Sequence, residues 1–110
     1  MKRYFQPEIE CASRDEIHKI QSERLVKQVR NVWDNVPMYR KKREEKGLTP
    51  EDIKSVDDLP KLPFIEKDDL RDEYPYGLLA RPLSECVRIQ STSGTTGRRV
   101  VAFYTQHDID

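Results

Sequence analysis

The chain has 110 residues, of which 35% are hydrophobic and 36% charged, with a mean hydropathy of −0.87. That is room for one small domain with a thin apolar supply for its own core. Twenty basic and twenty acidic residues cancel, so no net field selects nucleic acid or an anionic membrane as partner, and no apolar run has the length of a transmembrane helix.

The first residues, Met1 to Glu8, are basic at the start but lack the apolar stretch of a secretory signal. Cys11 and Cys86 stand far apart with no metal-ligand spacing. The expectation is two reduced thiols and a cytoplasmic location. Ser13-Arg14-Asp15-Glu16 has the form of a capping box. Behind it Ile17, Ile20, Leu25, Val29, Val32 and Val36 recur near helical spacing, which predicts an amphipathic helix over about 14–35. Lys19, Glu23, Arg24 and Lys27 fall on its wet side, Trp33 at the edge of the apolar stripe, and Pro37 stops or turns it.

A second short helix is expected from Arg40 to Lys46, with Gly47 as its left-handed terminator. The four cations Arg40 to Arg43 read as a solvated face offset by Glu44 and Glu45, in preference to a nucleic-acid patch. The helical region thus covers 14–47. From 48 to 80 the chain is read as short helices and irregular segments. Thr49-Pro50-Glu51-Asp52 and Ser55-Val56-Asp57-Asp58 are helix starts. Pro60 and Pro63 bar a long helix and leave Leu59, Leu62, Phe64 and Ile65 as packing anchors. Glu66 to Glu73 forms a further short helix, which Tyr74-Pro75-Tyr76-Gly77 breaks. Asp68-Asp69 is read as first-turn helix charge, not a metal site, and His18 and His107 as surface residues. Residues 86–105 read as strand, loop and strand. Thr105 and Asp108 then open a helix that the sequence does not continue, so a truncated chain is expected.

The loop, 91–99, is the chemically pointed part. Ser91-Thr92-Ser93-Gly94-Thr95-Thr96-Gly97-Arg98-Arg99 packs five hydroxyls, two glycines and two arginines into nine residues. Glycines let backbone N–H groups close on an anion, and hydroxyls and guanidinium groups add donors. The Walker arrangement fails, because Gly94 and Gly97 are separated by two residues and a β-branched, aromatic run follows where a helix should open. The dinucleotide fingerprint fails for want of glycines. On composition alone a plain Ser/Thr/Gly hairpin turn stays open beside the anion cradle.

The order Ser-Gly-Thr-Thr-Gly followed by a cation resembles the phosphate-binding signature of the adenylate-forming superfamily. Leu62 to Arg71, Tyr74-Pro75-Tyr76-Gly77-Leu78, Val87-Arg88-Ile89, Val101 to Thr105 and Val36 to Arg40 resemble the corresponding stretches of phenylacetate–CoA ligases. The resemblance implies an α+β fold: an N-terminal helical cluster, then a short antiparallel strand pair flanking a phosphate loop. It makes residues 1–110 the N-terminal portion of a large adenylation domain. It also implies a two-step ligase using ATP with Mg²⁺, an aryl carboxylic acid and coenzyme A. Carried over, Thr92, Ser93, Gly94, Thr95, Thr96, Gly97 and Arg98 would hold the β- and γ-phosphates, with no catalytic or metal residue in this stretch.

Arg98 stands where the family usually has lysine, Arg99 where it has proline, and Thr92 where it has serine. The acid pocket, adenine contacts, Mg-coordinating acid and mobile C-terminal domain lie beyond Asp110, so the fragment alone is expected to be inactive. It is also expected to expose apolar surface such as Phe64, Leu78, Leu79 and Phe103 for the missing C-terminal remainder. Dimers occur in the family. Two alternatives are carried: a non-catalytic helical interaction module using the basic helix on a partner, and a related ligase acting on another carboxylate.

Overall fold

Five α-helices, three 3₁₀ turns and a two-stranded sheet make up the computed structural model, which describes residues 3–94, 97 and 99–110. A short helix α1 (Pro7–Glu10), absent from the sequence reading, starts on Pro7 at a position where the missing N–H costs nothing. The long helix α2 (Arg14–Asn35) has the expected bounds. Its start is fixed locally: the Glu16 N–H donates to Ser13 Oγ at 3.2 Å, and the Glu16 carboxylate accepts from the Ser13 N–H at 3.4 Å.

Pro37 both ends α2 and opens α3 (Pro37–Glu45), which therefore begins three residues earlier than the charge run suggests. At its far end Gly47 has φ +72°, and its N–H bonds Glu44 O at 2.9 Å while the Leu48 N–H bonds Arg43 O at 2.9 Å. This paired closure is the Schellman stop that a glycine permits.

Two 3₁₀ turns, Pro50–Asp52 and Val56–Lys61, follow at the expected starts. The Asp52 carboxylate accepts the Thr49 N–H at 2.8 Å, and the Asp58 carboxylate accepts the Lys54 N–H at 2.9 Å. Helix α4 (Lys67–Asp72) is capped likewise, by Asp69 accepting the Glu66 N–H at 2.8 Å, so Asp69 is first-turn charge as expected. These short elements are tied back to the long helices. The Val56 N–H donates to Ser22 Oγ at 3.0 Å, Arg30 pairs with Glu51 at 2.8 Å and Lys42 with Asp69 at 3.1 Å. The Tyr39 hydroxyl donates to Pro63 O at 2.6 Å.

The apolar core lies among α2, α3 and the first 3₁₀ turn: Val29, Val36 and Ile53 are buried, with Pro50 beside them. One charged residue joins them, against expectation. Arg43, read in the sequence as part of a solvated face, is 1% exposed. Its guanidinium lies 4.7 Å from the Trp33 ring centre and 5.8 Å from that of Tyr39, and its Nη1 donates to Val29 O at 3.2 Å. The aromatic faces and the carbonyl offset part of the desolvation of a delocalised cation. Burial nevertheless pulls its pKa below the ordinary arginine value, and Nε and Nη2 have no hydrogen-bond partner among the described residues. Arg40 stacks on Trp33 at 4.8 Å and pairs with Glu44, leaving Lys41 as the exposed cation of the run without such a contact.

After the 3₁₀ turn Leu83–Glu85, strands β1 (Cys86–Ser91) and β2 (Val101–Thr105) pair antiparallel, with Ile89 opposite Phe103 and Ser91 opposite Val101. The register slips between Cys86 and Arg88, leaving Val87 as the extra residue of a bulge. Helix α5 (Gln106–Ile109) leaves β2, with Asp108 accepting the Thr105 N–H at 2.9 Å.

The hairpin carries little core of its own. Val87 is 57% and Ile89 60% exposed, and Phe64 on the segment before α4 is 91% exposed. Leu78, Leu79 and Phe103, also expected to be exposed, are half-buried instead. Phe103 meets the Tyr76 ring at 5.7 Å, just after a cis Tyr74–Pro75 bond. The whole presents 8489 Å² of surface, where a compact chain of this mass would present about 6,300 Å². Its radius of gyration is 16.4 Å, against about 13 Å for a compact fold of this length.

Candidate functional site

The strand pairing continues for one step past β1 and β2. The Thr92 N–H donates to Val100 O at 3.0 Å, and the Val100 N–H donates to Thr92 Oγ1 at 3.0 Å. A side-chain oxygen thereby takes the place of a strand carbonyl and closes the neck of the loop. The resemblance implies a phosphate contact for Thr92, and its hydroxyl oxygen also accepts the Val100 N–H in this clamp. Serine or threonine could serve equally, and nothing in spacing alone distinguishes the two roles.

Beyond the neck, Ser93 is exposed. Gly94 follows with φ +72°, and the Gly97 N–H reaches back to Gly94 O at 3.3 Å, while Gly97 has φ +129°. Both glycines occupy backbone conformations that side-chain-bearing residues rarely adopt. The two positions differ in their surroundings. A Cβ on Gly94 would lie 2.8 Å from Arg99 Cγ and 3.2 Å from Gly97 O, whereas one on Gly97 would meet nothing within 4 Å. Gly94 is thus a close-approach position and Gly97 faces open space. Thr95, Thr96 and Arg98, the remaining assigned residues, lie outside the described residues.

The charge around this loop is one-sided. Residues 86–107 contain Arg88, Arg98 and Arg99 and no aspartate or glutamate, in a chain whose total charge is zero. An anion at the loop would meet donors and positive charge with no competing carboxylate from the hairpin sequence. The described loop residues thus combine φ-positive glycines, an open face at Gly97 and a segment whose sequence is locally cationic.

Next to the hairpin, an open cleft of about 1580 Å³ runs between α2 and β2. Arg24, Lys27, Tyr74, Leu78, Arg81 and Phe103 are among its lining. Among the described residues it reaches the loop's neck at Val100 but not Thr92, Ser93, Gly94, Gly97 or Arg99. Elsewhere, His18 bonds Asp57 at 3.2 Å, and no group of three or more His, Cys, Asp or Glu side chains gathers as a metal site among the described residues. Cys11 and Cys86 are free thiols. No described helix is long and apolar enough to cross a membrane.

No family model matches the chain. Individual proteins do. A phenylacetate–coenzyme A ligase of Aromatoleum evansii is 50% identical over 102 residues, covering 93% of this chain and 23% of that protein. One from Thermus thermophilus is 43% identical over 105 residues, covering 96% and 24%, and one from Escherichia coli is 46% identical over 102 residues, covering 93% and 23%. Among solved structures, a 2-hydroxyisobutyryl-CoA ligase in complex with 2-HIB-AMP and CoA superposes with a TM-score of 0.84 at 33% identity, over 97% of this chain and 24% of that one. The chain spans about a quarter of the length of the proteins it matches. The chain is thus similar in sequence to one part of the phenylacetate–coenzyme A ligases and in fold to one part of a 2-hydroxyisobutyryl-CoA ligase.

Proposed function

We propose that this chain is the N-terminal portion of the large adenylation domain of an AMP-forming aryl-acid CoA ligase, and that its 91–99 loop handles the polyphosphate of ATP. The observation that carries this reading is the 43–50% identity to phenylacetate–coenzyme A ligases across at least 93% of the chain. That range of identity makes phenylacetate or a similar aryl acid the first substrate to test.

In the proposed reaction an oxygen of the carboxylate attacks the α-phosphorus of ATP. The bond to the bridging oxygen breaks, pyrophosphate leaves, and an acyl-adenylate forms. The sulfur of coenzyme A then attacks the acyl carbon, the carbon–oxygen bond to AMP breaks, and the thiol proton passes to solvent. Magnesium would accompany ATP and neutralise part of its charge; no residue of this chain is assigned to it. This segment's contribution is to stabilise the negative charge gathering on departing pyrophosphate. Backbone N–H groups at Gly94 and Gly97, the hydroxyls of Thr92, Ser93, Thr95 and Thr96, and the Arg98 guanidinium would do so. Thr92 serves as the clamp that holds the loop's ends.

The acid pocket and the coenzyme A contacts belong to the rest of the enzyme, so the 110-residue piece does not turn over by itself. The excess surface, with Phe64, Val87 and Ile89 uncovered, suits packing against that remainder.

The test is an assay of the full-length protein for ATP- and CoA-dependent AMP release across a panel of aryl and short hydroxy acids. The reading expects one AMP per thioester and a preference for an aryl acid. No AMP release with any acid would overturn it, and preference for a non-aryl acid would move the protein to another branch of the same chemistry.

A further inference from the structure

We propose that Arg99 is a second cationic ligand of the polyphosphate, a role added to the loop by this chain where relatives of the kind it resembles usually carry proline. The inference rests on the ligase reading above and extends it to a residue that reading leaves without a role. Three observations carry it.

The first is position. The stem of Arg99 crosses the bare face of Gly94: its Cγ lies 2.8 Å and its Nε 3.4 Å from where a Gly94 Cβ would stand. The side chain is therefore folded back over the start of the loop and not extended along β2. Two contacts fix this register: the Thr92–Val100 clamp sets the backbone immediately after Arg99, and the Gly97 N–H to Gly94 O bond draws the loop's two glycines together. A side chain on residue 94 would collide with the Arg99 stem, so the glycine and the arginine depend on each other.

The second is the lack of a competing partner. Arg99 is exposed and makes no ion pair, hydrogen bond or ring contact with any described residue. Arg30, Arg40 and Arg81, by contrast, each hold a glutamate at 2.8–3.2 Å, whereas the exposed Arg14, Arg24 and Arg88 share with Arg99 the lack of such a pair among the described residues. The third is composition. No acid occurs from Cys86 to His107, so nothing in the hairpin's own sequence would neutralise the guanidinium. A planar fork beside a loop rich in glycine and hydroxyl residues suits bidentate contact with phosphate oxygens, which a proline could not provide.

The experiment uses the full-length protein and three variants. Arg99→Met keeps the stem over Gly94 and removes the charge. Arg99→Lys keeps the charge and removes the fork. Arg99→Pro installs the residue usual at this position and guards against a variant that merely misfolds. Pyrophosphate binding is measured by calorimetry in the absence of the other substrates, and the KM values for ATP, acid and coenzyme A are measured separately. Arg99→Met and Arg99→Pro should weaken pyrophosphate about tenfold and raise the KM for ATP by a similar factor, with the KM values for acid and coenzyme A unchanged. Arg99→Lys should fall between these and the unsubstituted protein. Unchanged pyrophosphate affinity in both Arg99→Met and Arg99→Pro, with AMP release intact, would overturn the inference and leave the ligase reading standing. If the unsubstituted protein neither binds pyrophosphate nor releases AMP, both fall together.

Discussion

The helical region and the hairpin are built on different terms. From Ser13 to Asp69, capped helices and 3₁₀ turns fold back on one another and bury Val29, Val36, Ile53 and even the Arg43 guanidinium. From Cys86 to Thr105, the strands are correctly paired but hold no fully buried residue. The more specific chemistry sits on the less self-sufficient element. A loop that must admit an anion and several backbone donors is poorly suited to sit inside a small core, so its rigidity has to come from its own neck and from neighbouring structure.

The largest expected contrast is in hydrogen exchange of the 110-residue chain. Amides of α2 and α3 around Val29 and Arg43 should exchange at least about a hundredfold more slowly than those of β1 and β2. Equal protection in both regions would dissolve the comparison. A core substitution sharpens it: Ile53→Ala should destabilise the helical region by about 2–4 kcal/mol, read by circular dichroism, because Ile53 is 2% exposed. Arg43→Met should cost less than about 1 kcal/mol or even stabilise, since it replaces a desolvated cation, two of whose nitrogens have no partner among the described residues, by an apolar stem. On the hairpin side, Thr92→Val removes the Val100 N–H acceptor and should loosen the loop's neck by about 1 kcal/mol, whereas Thr92→Ser should not.

The smallest effect is acid dependence. The Asp58 carboxyl is lowered from 3.8 to about 2, first by the hydrogen bond from Lys61 and then by the Lys54 backbone N–H. Its stabilising effect is complete above the unfolded value near 3.8 and is lost as pH falls through about 2. Asp58→Asn should flatten that part of an acid titration. An unchanged titration would show that the contact is too exposed to matter.

Local chemistry made most of the fold legible. Ser13 with Glu16, Thr105 with Asp108 and Gly47 announce boundaries through groups within a few residues, and α2 has the bounds its caps and periodicity predict. The strand pair also follows from short-range pattern. Burial was less legible, because it depends on which distant face arrives. Arg43 looks solvated until Trp33 and Tyr39 are placed around it, and Pro37 looks like a stop until it is seen to open the next helix. The loop's composition pointed to an anion, but a list of residue types could not separate Thr92, which clamps, from Gly94, which makes room. Nor could it show that Arg99 folds back over that glycine.

The proposal that the 91–99 loop handles polyphosphate meets its most direct test in Gly94→Val in the full-length protein. The substitution places a β-branched side chain at φ +72° and against Arg99 Cγ. The measurement is acid-dependent release of pyrophosphate from ATP, with circular dichroism as a control for folding. A fall of about a hundredfold or more is expected, with helical content unchanged. Pyrophosphate release at the unsubstituted rate would contradict it.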